Sequence, residues 1–146
     1  MKFKKVLTIG IKELNLDKEY WEMIDKLSEE RISISADSEE INDQLKDTDC
    51  LLINPFVFEV KKEHIDQASK LKYISVLATA FGKIDCEYAT MKNISVTNIP
   101  DYSTEAVAEF VLGVILENIR DLERAKKQSR EEDYSEDTFF NRINSS

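Results

Sequence analysis

Short apolar segments alternate with amphipathic segments over the first hundred residues, and this alternation restricts the folds open to the chain. Alternating or continuous apolar patterns predict strands, and apolar periods of three to four predict helices between them. The predicted strands are KVLTIG (5–10), RISISA (31–36), CLLIN (50–54), YISVLA (73–78) and ISVTNI (94–99). Such alternation is typical of a parallel sheet with right-handed crossovers. We therefore predict an α/β, flavodoxin-like or Rossmann-like fold: a parallel five-stranded sheet with helices on both faces.

Four helices are predicted between these strands, over 17–30, 38–47, 61–71 and 86–93. The first has a candidate N-cap, Asp17, and an apolar face with helical spacing. That face comprises Tyr20, Trp21, Ile24 and Leu27. The second helix is short and is expected to bury Ile41 and Leu45.

The composition narrows the possible partners and compartments. The net charge is −9 over 146 residues, which argues against nucleic acid binding because phosphate contacts need clustered Lys and Arg. No apolar run reaches the ~18 residues of a membrane span, and the N-terminus lacks the apolar segment of a signal peptide. Cys50 and Cys86 are far apart in sequence and suggest no disulfide framework. We expect a reduced, cytoplasmic protein.

The segment after Pro100 differs in kind from the alternating part. It predicts one long helix over 104–127. Ser103 or Thr104 would cap the first free amides of this helix. Residues 106–116 are apolar on almost every side of this helix. A helix that lies on one sheet needs only one apolar stripe. We therefore expect another domain or another chain to cover it.

Glu109 is the one acid within the apolar part of this helix. If the helix is covered, burial of Glu109 without partners would be costly, so we expect hydrogen-bond partners for it near 98–103. The sequence shows no internal repeat and no low-complexity linker. The predicted organisation is a sheet domain over 1–100, an apolar helix over 101–127 and a polar tail over 128–146.

A series of residues from Leu71 onward follows a spaced pattern. The pattern is L-K-x-I-x-x-x-G-x-G-x-D-x-I-D, a small residue in a short helix, and then I-x-V-x-N-x-P-G-Y-S-x-x-x-V-A-E. The matching residues are Leu71, Lys72, Ile74, Ile84, Asp85, Ala89, Ile94, Val96, Asn98, Pro100, Tyr102, Ser103, Val107, Ala108 and Glu109. Through them, the stretch 71–124 resembles the D-isomer-specific 2-hydroxyacid dehydrogenases. The chain departs from the pattern at four positions. Ala78 and Ala80 stand in place of the two loop glycines, Gly82 in place of the Asp, and Asp101 in place of the glycine after the proline.

The resemblance implies two sets of contact residues. In the family, backbone amides of the glycine-containing loop approach the substrate carboxylate, an approach that alanine permits less freely than glycine. The implied substrate contacts here are Ala78, Thr79, Ala80, Phe81, Gly82 and Tyr102. The implied contacts to NAD or NADP are Ser103, Thr104 and Val107.

The resemblance also implies what this chain does not supply. The dinucleotide fingerprint G-x-G-x-x-G matches none of its three glycines, Gly10, Gly82 and Gly113. The family's catalytic arginine, glutamate and histidine lie in the later part of its chain. We therefore assign no catalytic residue, and two distant cysteines with one histidine suggest no metal site. No cofactor is expected to bind this chain alone.

The implied function is hydride transfer between NAD(H) and a small 2-hydroxy or 2-keto acid. We interpret the chain as an isolated N-terminal part of such an enzyme, inactive by itself, whose tail leads toward a cofactor lobe. One alternative is a stand-alone flavodoxin-like module that binds a small acid or a protein partner. Another is a homodimer formed through the 104–127 helix without a ligand, since family members are typically dimers and a bare apolar face drives association.

The remaining residues with reactive or ionisable side chains are expected to have structural roles. His64 lies on a charged helix and is expected to be a solvated surface histidine, and Cys50 to be a small buried apolar residue. Cys86 begins a short helix, a position that favours the thiolate, but no base is near it in sequence. Asp85 and Glu87 are expected to cap that same helix.

Overall fold

The computed structural model describes residues 2–132, and within them five parallel strands form one sheet. The sheet order is β2-β1-β3-β4-β5. The strands are β1 (Phe3–Ile9), β2 (Ser28–Ile34), β3 (Cys50–Ile53), β4 (Tyr73–Val76) and β5 (Ser95–Thr97). This confirms the predicted fold class. Because all strands are parallel, their carboxyl ends meet at one edge, where ligands bind in sheets of this kind.

The connecting helices are shorter than the sequence predicted. They are α1 (Lys18–Leu27), α2 (Ile41–Leu45), α3 (Lys62–Gln67) and α4 (Cys86–Met91), and a short 3-10 helix (Glu13–Asn15) precedes α1. The predicted first helix continued to residue 30, but β2 already begins at Ser28, which pairs with Phe3 of β1. Hydrogen bonding to β1 therefore overrides the helical pattern of these polar residues. Asp17 occupies the N-cap position of α1, but its side chain makes no capping bond within the described chain.

The core lies on both faces of the sheet. The register aligns one row of apolar residues across all five strands: Ile32, Leu7, Leu51, Ile74 and Val96. Residues from α2, α3 and α4 pack on that row, namely Ile41, Leu45, Ile65 and Ala89. On the opposite face, Trp21 of α1 packs with Ile11 and Leu52. The helices thus divide between the two faces, as predicted.

A second compact unit begins at Asp101. It contains α5 (Thr104–Arg120) and α6 (Leu122–Arg130), whereas the sequence predicted one helix over 104–127. The break falls at Asp121, whose φ of 49° and ψ of 55° are left-handed. The Asp121 N–H donates to the Glu117 carbonyl, and its carboxylate accepts the N–H of Arg124. Asp121 therefore ends α5 and begins α6, a role open to aspartate because it tolerates this conformation.

The apolar residues of α5 face solvent. Within residues 2–132, no side chain of α5 is buried, and Phe110 is 72% exposed. Glu109 is exposed as well, so the expected buried partners are not found for it in the described chain. The cover that the sequence predicts for this helix therefore stays a prediction.

None of the helices described in residues 2–132 combines the length and apolar character that a lipid bilayer crossing requires. Most of the predicted polar tail, residues 133–146, lies outside the described residues.

The predictions for three side chains, those of Cys50, Asp85 and Cys86, have different outcomes. Cys50 is buried, as predicted, and this burial raises its pKa to about 12. The carboxylate of Asp85 accepts the Tyr88 N–H at 2.9 Å, which confirms that it caps α4. The expectation of a favoured thiolate at Cys86 is wrong, because partial burial and the charge of Asp85 raise the pKa of that thiol.

His64 is half-buried, so the prediction of a solvated histidine is wrong. Its ring lies against Phe58, with centroids 5.1 Å apart. Its Nδ1 accepts the Lys61 N–H at 3.0 Å, which requires a neutral imidazole with its proton on Nε2. Burial is the main cause that lowers the pKa of His64.

The ends of β3 and β4 approach each other closely at one point. Gly82 has a φ of +65°, and a Cβ built on it would lie 2.7 Å from the Cβ of Pro55. Both the conformation and the contact therefore require glycine there. Gly113, inside α5, has no atom within 4 Å of its built Cβ.

These two glycines form a matched pair for substitution. We expect Gly82→Ala to lower the free energy of unfolding by about 1–3 kcal/mol, through backbone strain and the contact with Pro55. Gly113→Ala should raise it by about 0.5–1 kcal/mol, because alanine favours a helix interior. Urea denaturation of both variants tests this, and a Gly82→Ala variant as stable as the parent would contradict the close approach.

The folded environment of His64 predicts a pH dependence. Since the folded pKa is lowered, the unfolded chain binds the proton more readily, and unfolding is favoured as the pH falls below ~6.5. Above that pH, His64 should contribute no pH dependence. Urea denaturation from about pH 8 to about pH 5 should therefore show a steeper loss of stability for the parent than for His64→Gln. Parallel profiles for the two proteins would show that His64 is not the source.

Candidate functional site

Three segments meet at the carboxyl edge of the sheet around the end of β4. The central one is the β4 loop, defined here as residues 78–82, which follows Val76 and Leu77. The turn after β3, from Asn54 to Phe58, lies on one side, and the extension of β5 through Pro100 lies on the other. Sheet order alone thus brings the β4 loop between two other strand ends.

The β4 loop is held on its β5 side by two hydrogen bonds to successive carbonyls. The Ile99 N–H donates to the carbonyl of Ala78 at 3.0 Å. The side-chain Nδ2 of Asn98 donates to the carbonyl of Thr79 at 2.6 Å. Sequence reasoning placed Asn98 in the matching pattern but gave it no role. The pattern was a usable signal, while its partner 19 residues earlier was visible only in the structure.

On its β3 side, the β4 loop passes so close to Pro55 at Gly82 that a side-chain Cβ would not fit there. The chain then continues into Ile84, which forms a parallel bridge with Val60. The loop is therefore anchored at both ends. Its middle residues, Ala80 and Phe81, lie between the anchors and are exposed.

The backbone N–H groups of the β4 loop are available to a ligand. Within residues 2–132, the N–H groups of Thr79, Ala80, Phe81 and Gly82 donate no hydrogen bond. Successive free N–H groups at a strand end make a site for an anion without any charged side chain. The Ala78 side chain is 3% exposed and belongs to the core, so only its backbone borders this site.

Alanine is accommodated where the pattern has glycine. Among the described residues other than glycine, positive φ occurs at Asn93, Asp101, Asp121 and Glu132. Ala78 and Ala80 therefore hold the loop without a left-handed conformation. Asp101, in contrast, has a φ of 59° and stands where the pattern has the glycine after proline. The sequence departure at Asp101 thus marks a position that does need a left-handed residue.

The other predicted contacts belong to the second unit. Tyr102 and Val107 are 66% and 56% exposed, and Ser103 and Thr104 stand at the start of α5. Ser103 occupies the N-cap position, but within the described chain its hydroxyl makes no capping bond. The proposed capping role of Ser103 is therefore not confirmed. That these residues share one site with the β4 loop stays a prediction.

Two concave surfaces lie beside the candidate site. A groove of about 600 Å³ runs beside α4 and β5; it is lined by Phe81, Cys86, Thr90, Asn93, Ile94, Ser95 and Val96. A cleft of about 430 Å³ lies at the carboxyl ends of β1 and β2; its lining includes Gly10, Lys12, Ser33, Ser35, Asp37 and Val57. Phe81 is the member of the β4 loop that reaches the first groove.

Within residues 2–132, the candidate site has binding groups but no acid–base pair. His64 lies on α3 with Nδ1 occupied by Lys61, and Cys50 stands at the opposite, amino end of β3. No group of three or more His, Cys, Asp or Glu in residues 2–132 is placed to hold a metal ion. The arrangement can therefore hold and orient an anionic group through backbone donors.

Similarity to known proteins identifies the family of this chain. Residues 10–143 match the family model described as D-isomer specific 2-hydroxyacid dehydrogenase, catalytic domain. A provisionally named 2-hydroxyacid dehydrogenase of Staphylococcus epidermidis is 37% identical over 117 residues, which cover 80% of this chain and 35% of that protein. D-3-phosphoglycerate dehydrogenase of Methanocaldococcus jannaschii is 32% identical over 103 residues, which cover 70% of this chain and 20% of that protein.

Solved structures share the fold. D-lactate dehydrogenase from Aquifex aeolicus, complexed with NAD and lactic acid, superposes with a TM-score of 0.67 at 24% identity, over 94% of this chain and 40% of that one. An acyclic imino acid reductase in complex with NADPH and D-Arg gives a TM-score of 0.70 at 25% identity, over 92% of this chain and 44% of that one. The chain spans about a third or less of the length of the two sequence relatives. With nearly all of its residues matched by the family model, the chain belongs to the D-isomer specific 2-hydroxyacid dehydrogenase family, in the catalytic domain.

Proposed function

We propose that this chain provides the carboxylate-binding part of an oxidoreductase that acts on a small 2-hydroxy or 2-keto acid. The observation that carries the proposal is the β4 loop, with four successive N–H groups that donate no hydrogen bond within the described residues. Two or more such donors can satisfy the oxygens of one carboxylate. Family membership supports the same assignment.

The loop would bind and orient the substrate. A fixed carboxylate restricts the position of the adjacent C2 carbon, and such positioning is a large part of what a protein contributes to a bimolecular step. Tyr102 is proposed as a further substrate contact, through its exposed ring and hydroxyl. No proton-transfer step is assigned to residues 2–132, because no acid–base pair borders the loop there.

The cofactor is proposed to be NAD or NADP, which supplies the hydride in such reactions. The residues present do not by themselves fit a dinucleotide pyrophosphate, since none of the three glycines forms the fingerprint that brings backbone amides to it. We propose that Ser103, Thr104 and Val107 contribute contacts to a cofactor held mainly elsewhere. The solved relatives that carry NAD or NADPH support this choice.

A homodimer formed through the region 104–127 is also proposed. Phe110, Leu112 and Val107 are each more than half exposed on α5. An apolar surface of this kind favours association in water. A cytoplasmic location remains a prediction, supported by Cys50 and Cys86 being free thiols.

The carboxylate-binding proposal is tested with pyruvate and the whole chain. We expect pyruvate to shift the amide resonances of Thr79, Ala80, Phe81 and Gly82 in an isotope-labelled sample, whereas acetone, which lacks the carboxylate, should not. Ala80→Pro removes one of the proposed donors and should weaken binding about tenfold. Ala80→Ser keeps the N–H and serves as the matched control.

Two outcomes would contradict this proposal. Equal shifts from acetone and pyruvate would show that the carboxylate is not recognised, and pyruvate shifts confined to other residues would place the site elsewhere. The same sample is expected to oxidise no NADH in the presence of pyruvate, because the described residues supply no acid–base pair. Measurable turnover would refute that part.

The association proposal is tested by light scattering. We expect the chain to form a dimer or a larger species, and Phe110→Lys, which places a charge at a residue that is 72% exposed on α5, to shift it toward the monomer. Met91→Lys is the matched control, because Met91 is 76% exposed on α4. A monomeric parent at high concentration, or equal effects of the two substitutions, would count against an interface on α5.

A further inference from the structure

We propose that Asn98 is the positioning residue of the carboxylate site: its side-chain amide fixes the peptide between Thr79 and Ala80, so that the N–H of this peptide is turned toward the ligand. The inference rests on the proposed function of the β4 loop. It assigns Asn98 no contact with the substrate. Its effect passes through the backbone of the loop.

The geometry of the two carbonyls carries the first step. The carbonyls of Ala78 and Thr79 both accept hydrogen bonds from the β5 extension, at 3.0 and 2.6 Å. A trans peptide holds its carbonyl and its N–H on opposite sides. The two bonds therefore turn the N–H groups of Thr79 and Ala80 away from β5. Both N–H groups are among the four of the β4 loop that donate no hydrogen bond within residues 2–132.

The second step explains why a side chain is needed. The Ile99 bond to Ala78 uses main-chain atoms and continues the pairing of β4 with β5 beyond Ser75 and Thr97. Beyond Ala78 the loop is exposed and no longer follows the sheet. The Thr79 carbonyl is bound by the side chain of Asn98, which is half-buried.

The sequence around Asn98 keeps this donor in place. Ile99 precedes Pro100, and a residue before proline is restricted to extended conformations. The backbone bond of Ile99 to Ala78 then fixes the neighbouring Asn98 in line with β5. The far end of the loop is fixed independently by the parallel bridge of Ile84 with Val60. Release of the Thr79 carbonyl would therefore loosen the middle of the loop while both ends stay attached.

The chemistry of the position distinguishes asparagine from its isosteres. The amide is neutral and donates to a carbonyl through Nδ2. An aspartate of the same shape has no donor when ionised and would place a negative charge next to the site for an anion. A leucine has a similar volume and neither donor nor charge. Asn98→Leu thus removes the hydrogen bond alone, and Asn98→Asp removes it and adds charge.

The experiment compares the whole chain with Asn98→Leu, Asn98→Asp and a control, Asn42→Leu, by nuclear magnetic resonance. Asn42 lies on α2 with an exposed side chain, and it is not among the described residues with a positive φ. In both Asn98 variants we expect the carbonyl carbon resonance of Thr79 to move more than that of Ala78. The backbone order of Ala80 and Phe81 should fall, and pyruvate affinity should weaken about tenfold or more. Asn42→Leu should change none of these.

The outcomes separate this inference from the function on which it rests. If the parent chain does not bind pyruvate but the Asn98 variants still lose loop order, the proposed function fails and the positioning role stands. If the loop order and the pyruvate affinity of Asn98→Leu equal those of the parent, the positioning role is overturned. Should Asn98→Leu lower the thermal stability as a whole, Asn98→Ser, which retains a donor, must restore part of the affinity. Failure to do so would also overturn the inference.

Discussion

The parallel pairing of β4 with its two neighbours is the interaction on which the candidate site depends. β3 and β5 flank β4 in register, with Leu51, Ile74 and Val96 aligned across the three strands. The ladder continues past the strand ends, through Leu77 N–H to Ile53 and Ile99 N–H to Ala78. The β4 loop therefore leaves the sheet from a position that is already fixed by the core, and only residues 79–81 are left to local interactions.

The site and the whole molecule have different electrostatic characters. The chain carries a net charge of −9, so its overall field does not attract an anionic substrate. Recognition of a carboxylate must then come from short-range donors, and free backbone N–H groups supply these without a charged side chain. Such donors are directional. The orientation of each peptide matters more here than it would for a flexible lysine, which gives the Asn98 contact its significance.

The two compact units differ in how completely they bury their apolar residues. In the first, helices cover the apolar residues on both faces of the sheet. In the second, Val107, Phe110 and Leu112 are exposed along α5. An apolar helix surface is costly in water, and the segments matched by the two sequence relatives make up 35% and 20% of those proteins. That another domain or chain covers α5 stays a prediction.

Sequence periodicity was sufficient to predict the order and type of the strands and helices in the sheet domain. The patterns there are set by burial on the two faces of the sheet. It failed where another interaction competed with the pattern. The polar residues from Ser28 to Glu30 join β2 through pairing with β1, and Asp121 breaks the apolar helix by adopting a left-handed conformation. His64 was misjudged because its neighbours in sequence are charged while its neighbour in space is Phe58.

For the candidate site, the sequence by itself determined which loop to examine, since the spaced pattern from Leu71 to Glu109 marks the residues after β4. Only the tertiary structure decided how that loop is held. The Asn98 amide meets the Thr79 carbonyl and Gly82 meets Pro55 across 19 and 27 positions of sequence. Neither contact has a local signature, because parallel strand order, and not sequence distance, brings these segments to the same edge of the sheet.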